Sequence, residues 1–119
     1  MKSYKELIVW QKSIDLIEEI YKITLLFPKS EIYGLTSQMR RCSVSIASNI
    51  AEGFSRKTKK DNAQFITISL GSAAELEAQI IITKRLKFVP NEKWEKTDKL
   101  LDEILRMLNR LRNVLYTSG

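Results

Sequence analysis

Leu7, Trp10, Ile14, Ile17, Tyr21 and Thr24 follow one another in steps of three and four. That spacing predicts one face of an amphipathic helix packed on others. Ser3 and Glu6 have the spacing of a capping box at its start, or one turn ahead of it. Pro28 should stop it near Phe27, because proline disfavours helical geometry in the residue before it. A second stripe, Leu35, Met39, Cys42, Ile46 and Ile50, reads as a helix terminated by Gly53. Thr58 with Asp61 opens a third. Its centre, "FITISLGSAAELEAQIIIT", is small or apolar nearly all round, which predicts burial on several sides. Two glutamates among its polar residues argue against a membrane span. After Pro90 and Asn91 a fourth stripe runs through Trp94, Leu101, Ile104, Leu108, Leu111 and Leu115. Its acids come early and its arginines late, matching the helix dipole.

Helices over 4–27, 35–54, 59–86 and 91–116, joined by short loops, must lie largely antiparallel. The prediction is an all-α protein: one domain, 1–119, folded as an up-down four-helix bundle. The side of the second helix turned away from its stripe carries Arg41, Val44, Ala47, Ser48, Ala51 and Glu52. Small residues there let another backbone approach closely, so Val44, Ala47, Ser48 and Ala51 are read as an interface with a neighbouring subunit. The competing expectation is a displaced fourth helix covering the same side. A buried polar set of Ser43, Asn49 and Glu75 should fix register. Trp10, Trp94 and Cys42 read as core residues.

Charge changes the picture. Of the net +6, the block 35–60 contributes +5, from Arg40, Arg41, Arg56, Lys57, Lys59 and Lys60 against Glu52 alone. Such asymmetry points to a polyanionic partner, with phosphate contacts as the chemistry. The bland reading is a solvated charge run partly neutralised by Glu52 and Asp61. Arg40 and Arg41 lie near one end of the second helix and the other four near the other end, so a stripe is possible but one compact site is not.

Catalysis has little to build on. With no histidine in the chain, di-iron Glu-x-x-His sites and Ser-His or Cys-His nucleophiles are excluded. One cysteine cannot build a zinc cluster, and no Gly-rich phosphate loop is present. Glu52, Glu75 and Glu77 remain as isolated carboxylates without an evident partner group. No catalytic, cofactor or metal site is expected, so the protein is read as a non-enzyme. The single cysteine and the lack of a signal-like apolar run lead us to expect a cytoplasmic protein with no membrane partner.

The stretches "LIVWQKSIDLIEEIY", "FPKSEIYGLTSQMRRCSVSIASNIAEGFSR" and "FITISLGSAAELEAQI" resemble the bacterial four-helix-bundle proteins encoded by intervening sequences within 23S ribosomal RNA genes. That family is similar to the accessory protein that works with reverse transcriptase in diversity-generating retroelements. The resemblance implies a basic, non-enzymatic bundle that forms ring-like homo-oligomers, typically pentamers, and binds nucleic acid. The family's recurrent Arg-Arg, Asn-Ile-Ala-Glu-Gly and following Arg fall on Arg40, Arg41, Asn49 to Gly53, and Arg56. The leading expectation is therefore a bundle that binds structured RNA or DNA through phosphates. The alternative is a protein-interaction subunit docking on a partner such as a reverse transcriptase.

Overall fold

A computed structural model describes residues 3–117. Its four helices are α1 (Ile8–Thr24), α2 (Leu35–Phe54), α3 (Lys59–Leu86) and α4 (Glu95–Thr117), with short 3₁₀ turns at Tyr4–Glu6, Lys29–Glu31 and Asn91–Trp94. Each helix packs on its neighbours in sequence, and α1 meets α4 to close the bundle. Among the described residues there is no strand. The chain is therefore an all-helical four-helix bundle, as the apolar spacing predicts.

Local chemistry sets the ends of the helices. Ser3 does accept a bond, from Lys5 N, but it caps only the first 3₁₀ turn, so α1 begins one turn later than the capping box. Thr58 Oγ1 accepts from Asp61 N at 3.1 Å and opens α3 as anticipated. Glu31 reaches forward so that its carboxylate accepts from Leu35 N at 3.2 Å, capping α2 from outside the helix. Lys87 ends α3 in the left-handed region at φ 58°, where glycine would be the usual choice. α1 ends at Thr24, and a turn carries the chain through Phe27 to Pro28.

Gly53 plays a different part from the one its position suggests. It lies within the last turn of α2, which runs on to Phe54, and its φ is not positive. A methyl group there would lie 3.0 Å from Phe65 Cβ, 3.1 Å from Asn62 Oδ1 and 3.3 Å from the Asn62 carbonyl oxygen. Its role is close approach of α2 to α3, not helix termination.

The core confirms the second and fourth stripes and shifts the first. Met39, Cys42, Ile46 and Ile50 are buried, as are Trp94, Leu101, Ile104 and Leu108. On α1 the core face is Val9, Ser13, Leu16, Ile20 and Ile23, while Trp10, Ile14 and Ile17 are only partly buried and Tyr21 is exposed. Trp10 packs edge-on against Tyr4 at 5.2 Å, beside the core rather than in it. At the opposite end Phe27 meets Phe88 at 5.2 Å and Trp94 at 6.1 Å, locking the two interhelical loops of that end together.

One further expectation is overturned. Ser43, Asn49 and Glu75 form no shared network. Ser43 Oγ donates to Arg40 O, Asn49 bonds Ser45, and Glu75 is exposed. The register of α2 on α3 is marked instead by a hydrogen bond between the Ser45 and Ser72 hydroxyls at 2.8 Å and by Ser69 Oγ donating to Ile46 O at 2.8 Å. α3 packs on two sides, as its composition predicts, while Ile68, Ile81, Ile82 and Leu86 on it are exposed in the single chain. By length and composition α3 is apolar enough to cross a membrane, but it is the bundle's longest helix and packs along both α2 and α4.

Candidate nucleic-acid interface

The six basic residues divide between the two ends of α2. Arg41 lies about 20 Å along the helix from Phe54, the last residue of α2, and Arg56 follows in the turn to α3. One elongated ligand could therefore meet both, but one small ion could not.

At the N-terminal end Arg40 is held on two sides. Its Nε donates to Thr24 Oγ1 at 2.9 Å, and its guanidinium carbon lies 4.5 Å from the centre of the Tyr21 ring. Arg41 is exposed beside it. Neither arginine has a carboxylate within ion-pair distance among the described residues. A surface hollow of about 360 Å³ opens here, lined by Tyr21, Ile32, Thr36, Ser37, Arg40 and Arg41.

At the other end Arg56 is engaged differently from the sequence expectation. Its Nη2 lies 3.2 Å from Glu52 Oε1, and its guanidinium carbon is 4.7 Å from the centre of the Phe65 ring. The pairing leaves Arg56 with much of its charge already answered, a consequence of the i,i+4 spacing. Lys57, Lys59 and Lys60 are exposed around the start of α3. Lys57 and Lys60 have no ion pair among the described residues. A second, open hollow of about 570 Å³ lies nearby, lined in part by Tyr4, Ser48, Ala51, Glu52 and Phe65.

The small-residue side of α2 is only partly as expected. Val44 and Ser48 are exposed and Ala51 is half-buried, so all three are accessible. Ala47 is 5% exposed, and it sits one turn from the fully buried Ser43 and Ile50. It belongs to the protomer's own core and cannot serve an outer interface. α4 contacts α1 and α3, so it does not cover this side. The 3₁₀ turn at Tyr4–Glu6 packs against α2.

Cys42 is buried against the α2–α3 seam. Burial first, and then the neighbouring Glu75 side chain, push its thiol up from 9.0 to about 11. At neutral pH it is an inert thiol, not a nucleophile.

Reading the sequence missed the aromatic partners Tyr21 and Phe65. Their signal was an aromatic residue reachable by each arginine, which only the helix packing reveals. The Glu52–Arg56 pair, by contrast, was visible as a four-residue spacing.

Solved structures match this architecture. The chain is similar to the crystal structure of a protein of unknown function from the S23 ribosomal protein family of Bacteroides thetaiotaomicron, with a TM-score of 0.79 and 23% identity over 88% of this chain and 98% of that one. At that identity the likeness speaks for the fold. No curated protein matches the sequence. The family model described as 23S rRNA-intervening sequence protein matches residues 5–110. With nearly the whole bundle so matched, the chain belongs to the 23S rRNA-intervening sequence protein family.

Proposed function

We propose that this protein is a non-enzymatic, cytoplasmic, homo-oligomeric bundle that binds structured RNA or DNA through phosphate contacts. The observation that carries the reading is the charge distribution: +5 of the net +6 falls within residues 35–60. Arg41, Lys57 and Lys60 in that block are exposed without an ion pair among the described residues. Arg40 adds a positioned guanidinium, and Lys59 adds charge at the start of α3. Arg56 contributes less directly because Glu52 holds it. The family's connection with 23S rRNA intervening sequences supports an RNA ligand. Self-association, with the pentamer favoured by the family resemblance, would repeat the basic stripe and strengthen its field. Val44, Ser48 and Ala51 are the interface candidates that remain.

A second reading is favoured by the exposed Ile68, Ile81, Ile82 and Leu86 of α3. There the bundle is an accessory subunit that docks on a partner enzyme such as a reverse transcriptase. One experiment separates the two. Binding of a structured ribosomal RNA fragment and a matched DNA duplex is measured across a salt series, for wild type and for Arg41→Glu/Lys57→Glu/Lys60→Glu, after both are shown to assemble alike. Phosphate binding predicts steep salt dependence, with a log–log slope about 3 units shallower in the variant. No binding at low salt, or equal binding by both proteins, overturns the nucleic-acid reading and moves attention to α3.

A further inference from the structure

We infer that the hollow at the α1–α2 corner is a site for an unpaired nucleotide, its phosphate held by Arg40 and Arg41 and its base stacked on Tyr33. The inference rests on the nucleic-acid reading above and adds what kind of nucleic acid is recognised, and where.

The hollow joins two kinds of chemistry. Arg40 and Arg41 supply positive charge with no carboxylate partner among the described residues, and Thr36 and Ser37 add hydroxyls to the lining. Arg40 is pre-positioned. Its Nε is tied to Thr24 Oγ1, and Tyr21 supports its face, so little side-chain freedom is lost when a phosphate arrives. The terminal nitrogens of its guanidinium make no hydrogen bond within the described residues.

The aromatic half follows directly in sequence. Ile32 lines the hollow, and the next residue, Tyr33, has 94% of its surface exposed. A tyrosine left so open gains nothing from the protomer's core. The turn that carries it is nonetheless well tied: Gly34 N donates to Glu31 O at 2.9 Å, and the Glu31 carboxylate accepts from Leu35 N. A tied turn presenting a free aromatic ring one residue from the Ile32 wall of a hollow that also holds two arginines without carboxylate partners has the components of a single-strand platform. There, base stacking is tolerant of sequence and charge tracks the backbone. A fully paired duplex hides its base faces and could use only the arginines.

The test uses the full chain and three probes: an RNA hairpin with 2-aminopurine in its loop, the DNA hairpin of the same sequence, and the fully paired RNA duplex. The proteins are wild type, Tyr33→Ala and Tyr33→Phe, at one salt concentration, with particle mass followed by light scattering. The inference predicts that Tyr33→Ala weakens hairpin binding by roughly 5- to 150-fold and restores 2-aminopurine fluorescence. Duplex binding stays unchanged, and Tyr33→Phe behaves as wild type. Loss on the RNA hairpin alone supports the site and adds 2′-hydroxyl recognition. Loss on both hairpins supports the site for either sugar. Hairpin and duplex binding that both survive Tyr33→Ala overturn this inference while leaving the broader reading intact. A change in particle mass with equal loss on all probes also overturns it, making Tyr33 a contact between copies. Absence of binding to any probe overturns both readings.

Discussion

Gly53→Ala isolates the closest approach between α2 and α3. In an open helix the change stabilises, because alanine is favoured over glycine by about 1 kcal/mol. At Gly53 the new methyl group meets Phe65 Cβ at 3.0 Å and two oxygens of Asn62 at 3.1 and 3.3 Å. Comfortable contact between carbon atoms begins near 3.5 Å, so α3 must move away by ~0.5 Å. Neither Phe65 Cβ nor the Asn62 carbonyl lies at the end of a flexible side chain, so the helix itself has to give. The same displacement strains the Ser45–Ser72 and Ser69–Ile46 bonds, both 2.8 Å long, further along the seam. Overpacking of this kind costs about 1–3 kcal/mol. Set against the propensity gain, the net result is a loss of roughly 1 kcal/mol. Urea unfolding followed by helical circular dichroism, at one fixed protein concentration, should show the midpoint lowered by ~0.5 M with an unchanged slope. Gly53→Leu should lose more. A Gly53→Ala protein about 1 kcal/mol more stable than wild type, the propensity gain alone, would refute the close-approach argument.

Three further outcomes follow from the same geometry. Thr58→Ala removes the side chain that accepts from Asp61 N and should destabilise by about 1 kcal/mol in the same unfolding assay, with Thr58→Ser largely retaining stability. Glu52→Gln removes the partner of Arg56 and raises the local charge by one, so nucleic-acid affinity should increase and its salt slope steepen by about 1 in a binding titration. Cys42 has a folded-state thiol raised from 9.0 to about 11 by burial, then by Glu75. The unfolded chain therefore releases its thiol proton first as pH rises. The associated stability is complete below pH 9 and is lost as pH climbs towards 11. Wild-type stability should fall more steeply than that of Cys42→Ala across that window, measured by urea unfolding at successive pH values.

Why some elements were legible in the sequence, and others not, comes down to where the deciding information lies. The limits of α2 were readable because Gly34 precedes a clean apolar stripe and the chain turns after Phe54. The face of α1 was not, because two apolar series share that helix. Ile14 and Ile17 compete with Leu16 and Ile20, and only the neighbouring helices decide which series is buried. Gly53 misled for a related reason. A glycine that ends a helix and one that admits a second backbone look alike until the second backbone is present. The basic cluster was visible as composition, and the Glu52–Arg56 pair as spacing. The aromatic partners of Arg40 and Arg56 come from other helices, 19 residues before Arg40 in one case and 9 after Arg56 in the other, so no local pattern reveals them. Ala47 was assigned outward because a helical wheel has no knowledge of the elements that pack around α2; the folded chain buries it.

The order in which the helices touch bears on how the chain acquires its shape. Packing joins α1 to α2, α2 to α3 and α3 to α4, and of the helix pairs that pack extensively α1 with α4 is the one not adjacent in sequence. Closing short connections costs little chain entropy, so a topology of this kind belongs among the fast folders. The α2–α3 pair has the most extensive contact of all, and these two helices with the turn that joins them carry the whole basic stripe from Arg40 to Lys60. On a ribosome that hairpin would leave the exit tunnel ahead of α4. The charged edge would then be assembled early, on a nascent chain still surrounded by RNA.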